Sequence, residues 1–92
     1  MLYALLTTDR VLAASARTFV ETERSVLIVA ESAPQLDSLV GTLLPHHLLV
    51  DLRHPAAGSV LTRTWDERVH VHAVADQLRA RTLLKALIAA ST

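Results

Sequence analysis

Four short apolar runs, separated by segments of helical period, limit this chain to very few folds. Leu2 to Thr7 is the first run, and Ser25 to Ala30, rich in β-branched residues, is the second. His47 to Asp51 and Arg68 to Val74 are the third and fourth. Between the first two, Leu12, Ala16, Phe19 and Val20 recur on one face of a helix that Thr8 or Asp9 caps. Ser32 and Pro34 open a second helix, with Asp37 near the positive end of its dipole. Its apolar face is Leu36, Leu39, Val40 and Leu43, and Pro45 ends it. Ser59 is placed to cap a two-turn helix running to Trp65. Asp76 caps the last helix, whose buried face is Ala80, Leu83, Leu84, Leu87 and Ile88.

Strands alternating with helices form βαβ units and a parallel sheet. Right-handed crossovers then restrict the topology. The expected architecture is a three-layer α/β fold with four parallel strands in the order 2-1-3-4, forming one domain over residues 1–92. The helices after strands two and three share one face of the sheet, and the first helix alone covers the other. Exposed apolar surface costs roughly 25 cal/mol per Å². The last helix is therefore expected beside the first.

The most chemically suggestive stretch is Leu48-Leu49-Val50-Asp51-Leu52-Arg53-His54-Pro55. An apolar run ends there on one carboxylate, and a second acid, Asp9, closes the first run. Open α/β sheets bind ligands beyond the carboxyl ends of their strands, where the strand order reverses. In the order 2-1-3-4 that reversal falls between strands one and three, so Asp9 and Asp51 should face each other. The pair is the candidate metal site, with Mg²⁺ as the candidate cofactor.

Composition narrows the function classes. Nine basic residues balance nine acidic ones, so the basic stripe of a general nucleic-acid binder is missing. There is no cysteine, which excludes thiolate metal sites and thiol catalysis. No apolar stretch reaches the roughly 18 residues of a membrane span, and no signal-peptide pattern opens the chain. A cytoplasmic location is expected. Hydrophobic residues make up 51% of a 92-residue chain, which favours self-association or a bound partner.

Five histidines are present. His70 and His72 share one strand face, and with His46, His47 or His54 nearby a zinc site is conceivable. No carboxylate stands at helical ligand spacing, so the favoured reading puts His70 and His72 on the exposed side of an edge strand. Arg63, Arg68, Arg79 and Arg81 are read as a solvated face paired with Asp66, Glu67 and Asp76 rather than as a cationic patch.

These residues resemble the receiver domains of response regulators, closest to those preceding LuxR-type DNA-binding domains. Leu5-Leu6-Thr7-Thr8-Asp9-Arg10 is similar to the family's first strand end and Val29-Ala30-Glu31-Ser32-Ala33 to its second. Leu49 to Pro55, with Gly58, is similar to the strand that carries the phosphoacceptor. The resemblance covers about residues 1–60 and implies a flavodoxin-like fold, Asp51 as phosphoacceptor candidate, Mg²⁺, and a histidine kinase as a possible partner.

The departures are chemical. Thr8 and Asp9 stand where the family has two acids, and the loop after Pro55 is one residue shorter before its glycine. Four strand–helix pairs replace five. The family's hydroxyl position falls near Ala73 or Ala75, and its lysine has no strand-end counterpart, since Lys85 lies mid-helix. Without hydroxyl and lysine, a phosphoryl group has few contacts that differ between two states, and little to shift.

The expected function is therefore a receiver-like regulatory domain that acts by protein–protein interaction, without enzymatic activity and with little phosphorylation switching. It should bind a protein partner or a second copy of itself, and neither nucleic acid nor membrane. Trp65, Val69, Val71 and Leu84 are the interface candidates, because an edge strand is a template for pairing. Two alternatives stand beside this. One is an active phosphoacceptor receiver. The other is a STAS-like antagonist of anti-sigma factors, a family that also places a strand ending in Asp-Leu before a short helix. STAS domains have a β-rich N-terminal half, whereas residues 10–24 here have helical period. A hydrolase using both aspartates would need a further catalytic group on a neighbouring strand end, and the sequence places none there.

Overall fold

The computed structural model describes residues 1–90. Its sheet has four strands, β1 (Leu2–Leu6), β2 (Val26–Ala30), β3 (His47–Asp51) and β4 (His70–Val74). All pairings are parallel and the order is β2-β1-β3-β4. This is the flavodoxin-like order, and β1 and β3 are the two interior strands. They are buried on both faces, which is why they read as continuous apolar runs rather than alternating ones.

Four helices cover the sheet: α1 (Arg10–Thr22), α2 (Ala33–Leu43), α3 (Ala57–Thr62) and α4 (Gln77–Ala90). Alternation along the strands sends side chains to two separate cores. Tyr3, Leu5 and Leu49 point to the core that α1 and α4 close with Leu12, Ala16, Val20, Ala80, Leu84 and Ile88. Ala4, Leu6, Leu48 and Val50 point to the core that α2 and α3 close with Leu36, Val40, Ala57 and Val60. The last helix thus lies beside the first, as the cost of a bare sheet face requires.

The helix ends show local chemistry. Asp9 caps α1, its Oδ1 accepting from Val11 N and Leu12 N. Ser32 caps α2, accepting from Gln35 N. Leu44 closes α2 in the left-handed region at φ 48°, and Pro45 after it bars a further helical turn. The Asp76 carboxylate accepts from Arg79 N at the start of α4.

The third helix differs from the sequence expectation. It starts at Ala57, two residues ahead of Ser59, and ends at Thr62, with no side chain capping it from Ala56. His54 supplies the entry instead. Its Nδ1 accepts from Ala56 N at 3.0 Å, and its backbone carbonyl accepts from Ala57 N at 3.0 Å. Strand β4 is also shorter than expected. Arg68 and Val69 are held in a turn by Asp66, which accepts from both backbone N–H groups.

Among the described residues, no helix is long and apolar enough to cross a membrane.

Candidate functional site

The carboxyl ends of β1 and β3 bring Thr7, Asp9, Asp51 and Arg53 together. Asp51 is the last residue of β3 and is 2% exposed. A buried carboxylate must be met by donors or it stays protonated. Its Oδ2 accepts from the Thr7 hydroxyl at 2.7 Å. Its Oδ1 accepts from the Arg53 backbone N–H and from Arg53 Nε, each at 3.0 Å. Arg53 Nη2 also donates to Asp51 Oδ2 at 3.2 Å and to Asp9 Oδ2 at 2.9 Å.

One guanidinium therefore lies between the two acids, and a fixed fork of donors suits such a position. Thr7 completes the cluster. It is buried, and its hydroxyl oxygen accepts from the Asp9 backbone N–H at 3.0 Å. The two acids meet at the strand-order reversal, as the topology requires, but through Arg53.

The electrostatics follow from these contacts. Burial pushes the Asp51 carboxyl up, but hydrogen bonds from Arg53 and Thr7 outweigh it and hold the group below the usual carboxylate value. Asp9 is also held low, first by the backbone N–H of Leu12 and then by Arg53 and Val11. The Arg53 guanidinium is raised, through its bonds to Asp51 and Asp9.

The donor set can be tested against Mg²⁺, which requires a nearly octahedral shell of oxygens. Both Asp51 oxygens and both Asp9 oxygens already accept hydrogen bonds. The neighbouring Thr8 is exposed and adds no carboxylate. Among the described residues, no group of three or more His, Cys, Asp or Glu is arranged to hold a metal ion. With Arg53 in this position, Asp9 and Asp51 do not fit a bound Mg²⁺. Lys85 does not approach the crevice. It borders a hollow with Phe19, Glu23 and Ile88, at the opposite end of α1 from Asp9. Thirteen residues of helix span about 20 Å.

The interface candidates lie in different settings. Leu84 is 0% exposed and Val69 6% exposed. Both are enclosed in the chain's own cores and offer no surface to a partner, which corrects their reading as contact residues. Leu84 is enclosed because α4 lies against α1. Val71 and Trp65 are half-buried against the α2–α3 core. The Trp65 indole donates to the Val60 carbonyl at 2.9 Å, and the Arg63 guanidinium sits 4.3 Å from its ring centroid. Arg63 also pairs with Asp37 of α2.

Of the four arginines Arg63, Arg68, Arg79 and Arg81, Arg63 pairs with Asp37 and Arg68 with Asp66. Arg68 lies 3.0 Å from Asp66 and pulls its carboxyl down to about 2.

His46, His47, His70 and His72 lie toward the opposite end of the sheet from Asp51, whereas His54 is in the turn that follows it. His47 Nδ1 and His72 Nε2 are 3.1 Å apart. The His47 ring stacks on Tyr3, and its centroid is 5.5 Å from that of His70. His72 is half-buried rather than exposed. This corrects its placement on a solvent-facing side: the His47–His70 register turns His72 toward the α1–α4 face. Burial first, then the neighbouring histidines, lower the His47 pKa from its ordinary 6.5. His72 is lowered by burial and by His70.

A histidine lowered by folding binds fewer protons folded than unfolded, so stability rises with pH across the interval between its two values. The His47 and His72 contribution is therefore complete above 6.5 and declines as the pH falls toward the folded-state values. Urea midpoints should drop between roughly neutral pH and pH 5.5, and less so in His72→Phe. Equal midpoints in the wild type at the two pH values would contradict the assignment.

Comparison with known proteins gives no match: no family model, no curated protein and no solved structure is recognisably similar to this chain.

Arg53 and Thr7 were not singled out as site residues by the sequence. Arg53 follows Asp51 by two residues, a spacing that reads as strand alternation. The chain instead turns after Asp51, with His54 N donating to Asp51 O at 2.9 Å, and the turn folds the guanidinium back over the carboxylate.

Proposed function

We propose that this chain is a receiver-like regulatory module that acts by binding a protein, a partner or a second copy, with Arg53 taking the place of a bound cation at the acid pair. The single observation behind this is the Arg53 guanidinium, hydrogen-bonded to Asp51 and Asp9 together. A crevice neutralised from within has no vacant charge for an incoming phosphoryl oxygen to meet, and phosphoryl transfer onto a carboxylate needs that charge. The two groups that would read a phosphoryl are also missing. Ala73 and Ala75 carry no hydroxyl, and Lys85 is at the far end of α1. Signalling then rests on surface contacts. The outer edge of β4, next to half-buried Val71, is the natural place, since it is a terminal strand of the sheet. A cytoplasmic setting accords with this reading.

The test combines intact mass with sedimentation after incubation with Mg²⁺ and acetyl phosphate. The expected outcome is an unmodified mass and an unchanged sedimentation profile. A stoichiometric, base-labile adduct on Asp51 that alters association would replace this reading with that of an active phosphoacceptor.

A further inference from the structure

We infer that the outer face of α1 is a contact surface for a second copy of this chain, the two α1 helices crossing antiparallel about a two-fold axis. The contact rests on the proposed function, a module that acts by association, and names the partner as a second copy. It is separate from the edge of β4 and from the acid crevice.

The face carries an open groove of about 700 Å³, bordered on the α4 side by Arg81. An axis at the level of Ala16 and Arg17 exchanges the ends of this groove, Arg10 with Glu23 and Val11 with Thr22. In the middle it exchanges Ala14 with Phe19 and Ser15 with Thr18. Helical spacing alone gives that symmetry, but here the chemistry matches as well. Each cation meets an acid. Val11, 65% exposed, meets the methyl group of a threonine. The half-buried Phe19 ring meets the exposed, small Ala14. Ser15 and Thr18 are small enough at the crossing for the two helices to approach closely. A two-fold contact of this kind pairs each residue with its counterpart twice.

The charges at the ends of α1 point the same way. Arg10 is the first residue of the helix and Glu23 is its C-cap. A cation at the amino end and an acid at the carboxyl end both oppose the helix dipole. Among the described residues, neither Arg10 nor Glu23 forms an ion pair within the chain. An antiparallel neighbour satisfies both, because each end then faces the opposite charge and the opposite pole of a second helix. A parallel neighbour would set like against like. Nine cations balance nine acids over the whole chain, so no net repulsion opposes self-association.

The contact is small. A helix of 13 residues is about 20 Å long and about 10 Å wide, well short of the roughly 800 Å² per partner of a standard interface. The dimer should therefore be transient and concentration-dependent.

The test is sedimentation equilibrium of the full chain from about 10 μM to about 1 mM, with the wild type beside Arg10→Glu and Glu23→Arg. The expected result is a reversible monomer–dimer equilibrium in the wild type that weakens with added salt. One exposed ion pair contributes little. Reversal, however, turns attraction into repulsion at two symmetric places, so either variant alone should associate at least about tenfold more weakly. Mixed in equal amounts, the two variants should associate again, because each reversed charge then faces an opposite one across the axis. Both substitutions agree with the helix dipole, so the fold should hold, and circular dichroism of each variant checks it. A wild type that stays monomeric throughout, a dimer that ignores both reversals, or a mixture that stays monomeric would overturn the proposal. A dimer that ignores both reversals would still leave a self-associating module with its contact elsewhere. An adduct on Asp51 that alters association would instead overturn the wider reading.

Discussion

Leu84→Ala is expected to destabilise the chain by about 2–5 kcal/mol, the range for removing a buried leucine side chain to alanine, while leaving its state of association unchanged. Leu84 is 0% exposed and packs within the cluster formed by Tyr3, Leu12, Ala16, Leu49 and Ile88. Its neighbours come from two interior strands and from α1, so the cavity has little room to collapse. The value should lie in the upper part of the range, because cost grows with the cavity that remains. Urea unfolding measures the loss, and sedimentation equilibrium of the same variant measures association. A near-neutral change in stability together with a lost oligomer would return Leu84 to an interface role and contradict its burial in the core.

Arg53→Ala is expected to alter the crevice more than any other single change. Asp51 loses the bonds from Nε and Nη2 and keeps those from Thr7 and the backbone N–H at position 53. Burial, which already pushes this carboxyl up, then meets less opposition, and the Asp51 pKa should rise. The sign of the pH effect follows. A carboxyl held low in the folded state stabilises the fold above its unfolded value, near 3.8. That contribution is lost as the pH falls through the lower, folded value. In Arg53→Ala the folded value is higher, so the stabilisation should be smaller throughout and acid unfolding should begin at higher pH. Far-UV circular dichroism across an acid titration checks this. Coincident acid transitions in variant and wild type would show that Arg53 does not hold the charge of Asp51.

The strand order was legible because its causes are local and repetitive. Apolar runs buried on both faces mark β1 and β3, and helical period between runs forces right-handed crossovers. The caps at Asp9, Ser32 and Asp76 were legible for the same reason: a short polar side chain ahead of an apolar period has one favourable use.

Where the reading departs from the structure, the deciding contact lies across the fold or inside a turn. Ser59 resembles a cap, but the imidazole of His54 orders the entry to α3, and a histidine is not among the usual capping residues. Leu84 was placed near an edge because β4 is one, yet burial depends on α1 and α4 packing together. His72 shares a strand face with His70, as an exposed pair would, but register with β3 sets it against His47. Arg53 is the most consequential case. Its neighbours in sequence announce Asp51 as a strand-end acid. Only the turn after β3 shows that the chain carries its own counter-ion to that acid and to Asp9.

The most direct test of that last point is an NMR titration of the wild-type chain with Mg²⁺, following the carboxyl carbons of Asp9 and Asp51. With Arg53 bonded to both groups, neither resonance should move at millimolar Mg²⁺, a concentration at which an exposed carboxylate pair begins to respond. In Arg53→Ala both should move together. Saturable, joint shifts of Asp9 and Asp51 in the wild type would mean that Mg²⁺ displaces the guanidinium, and that the crevice is a metal site rather than one neutralised from within.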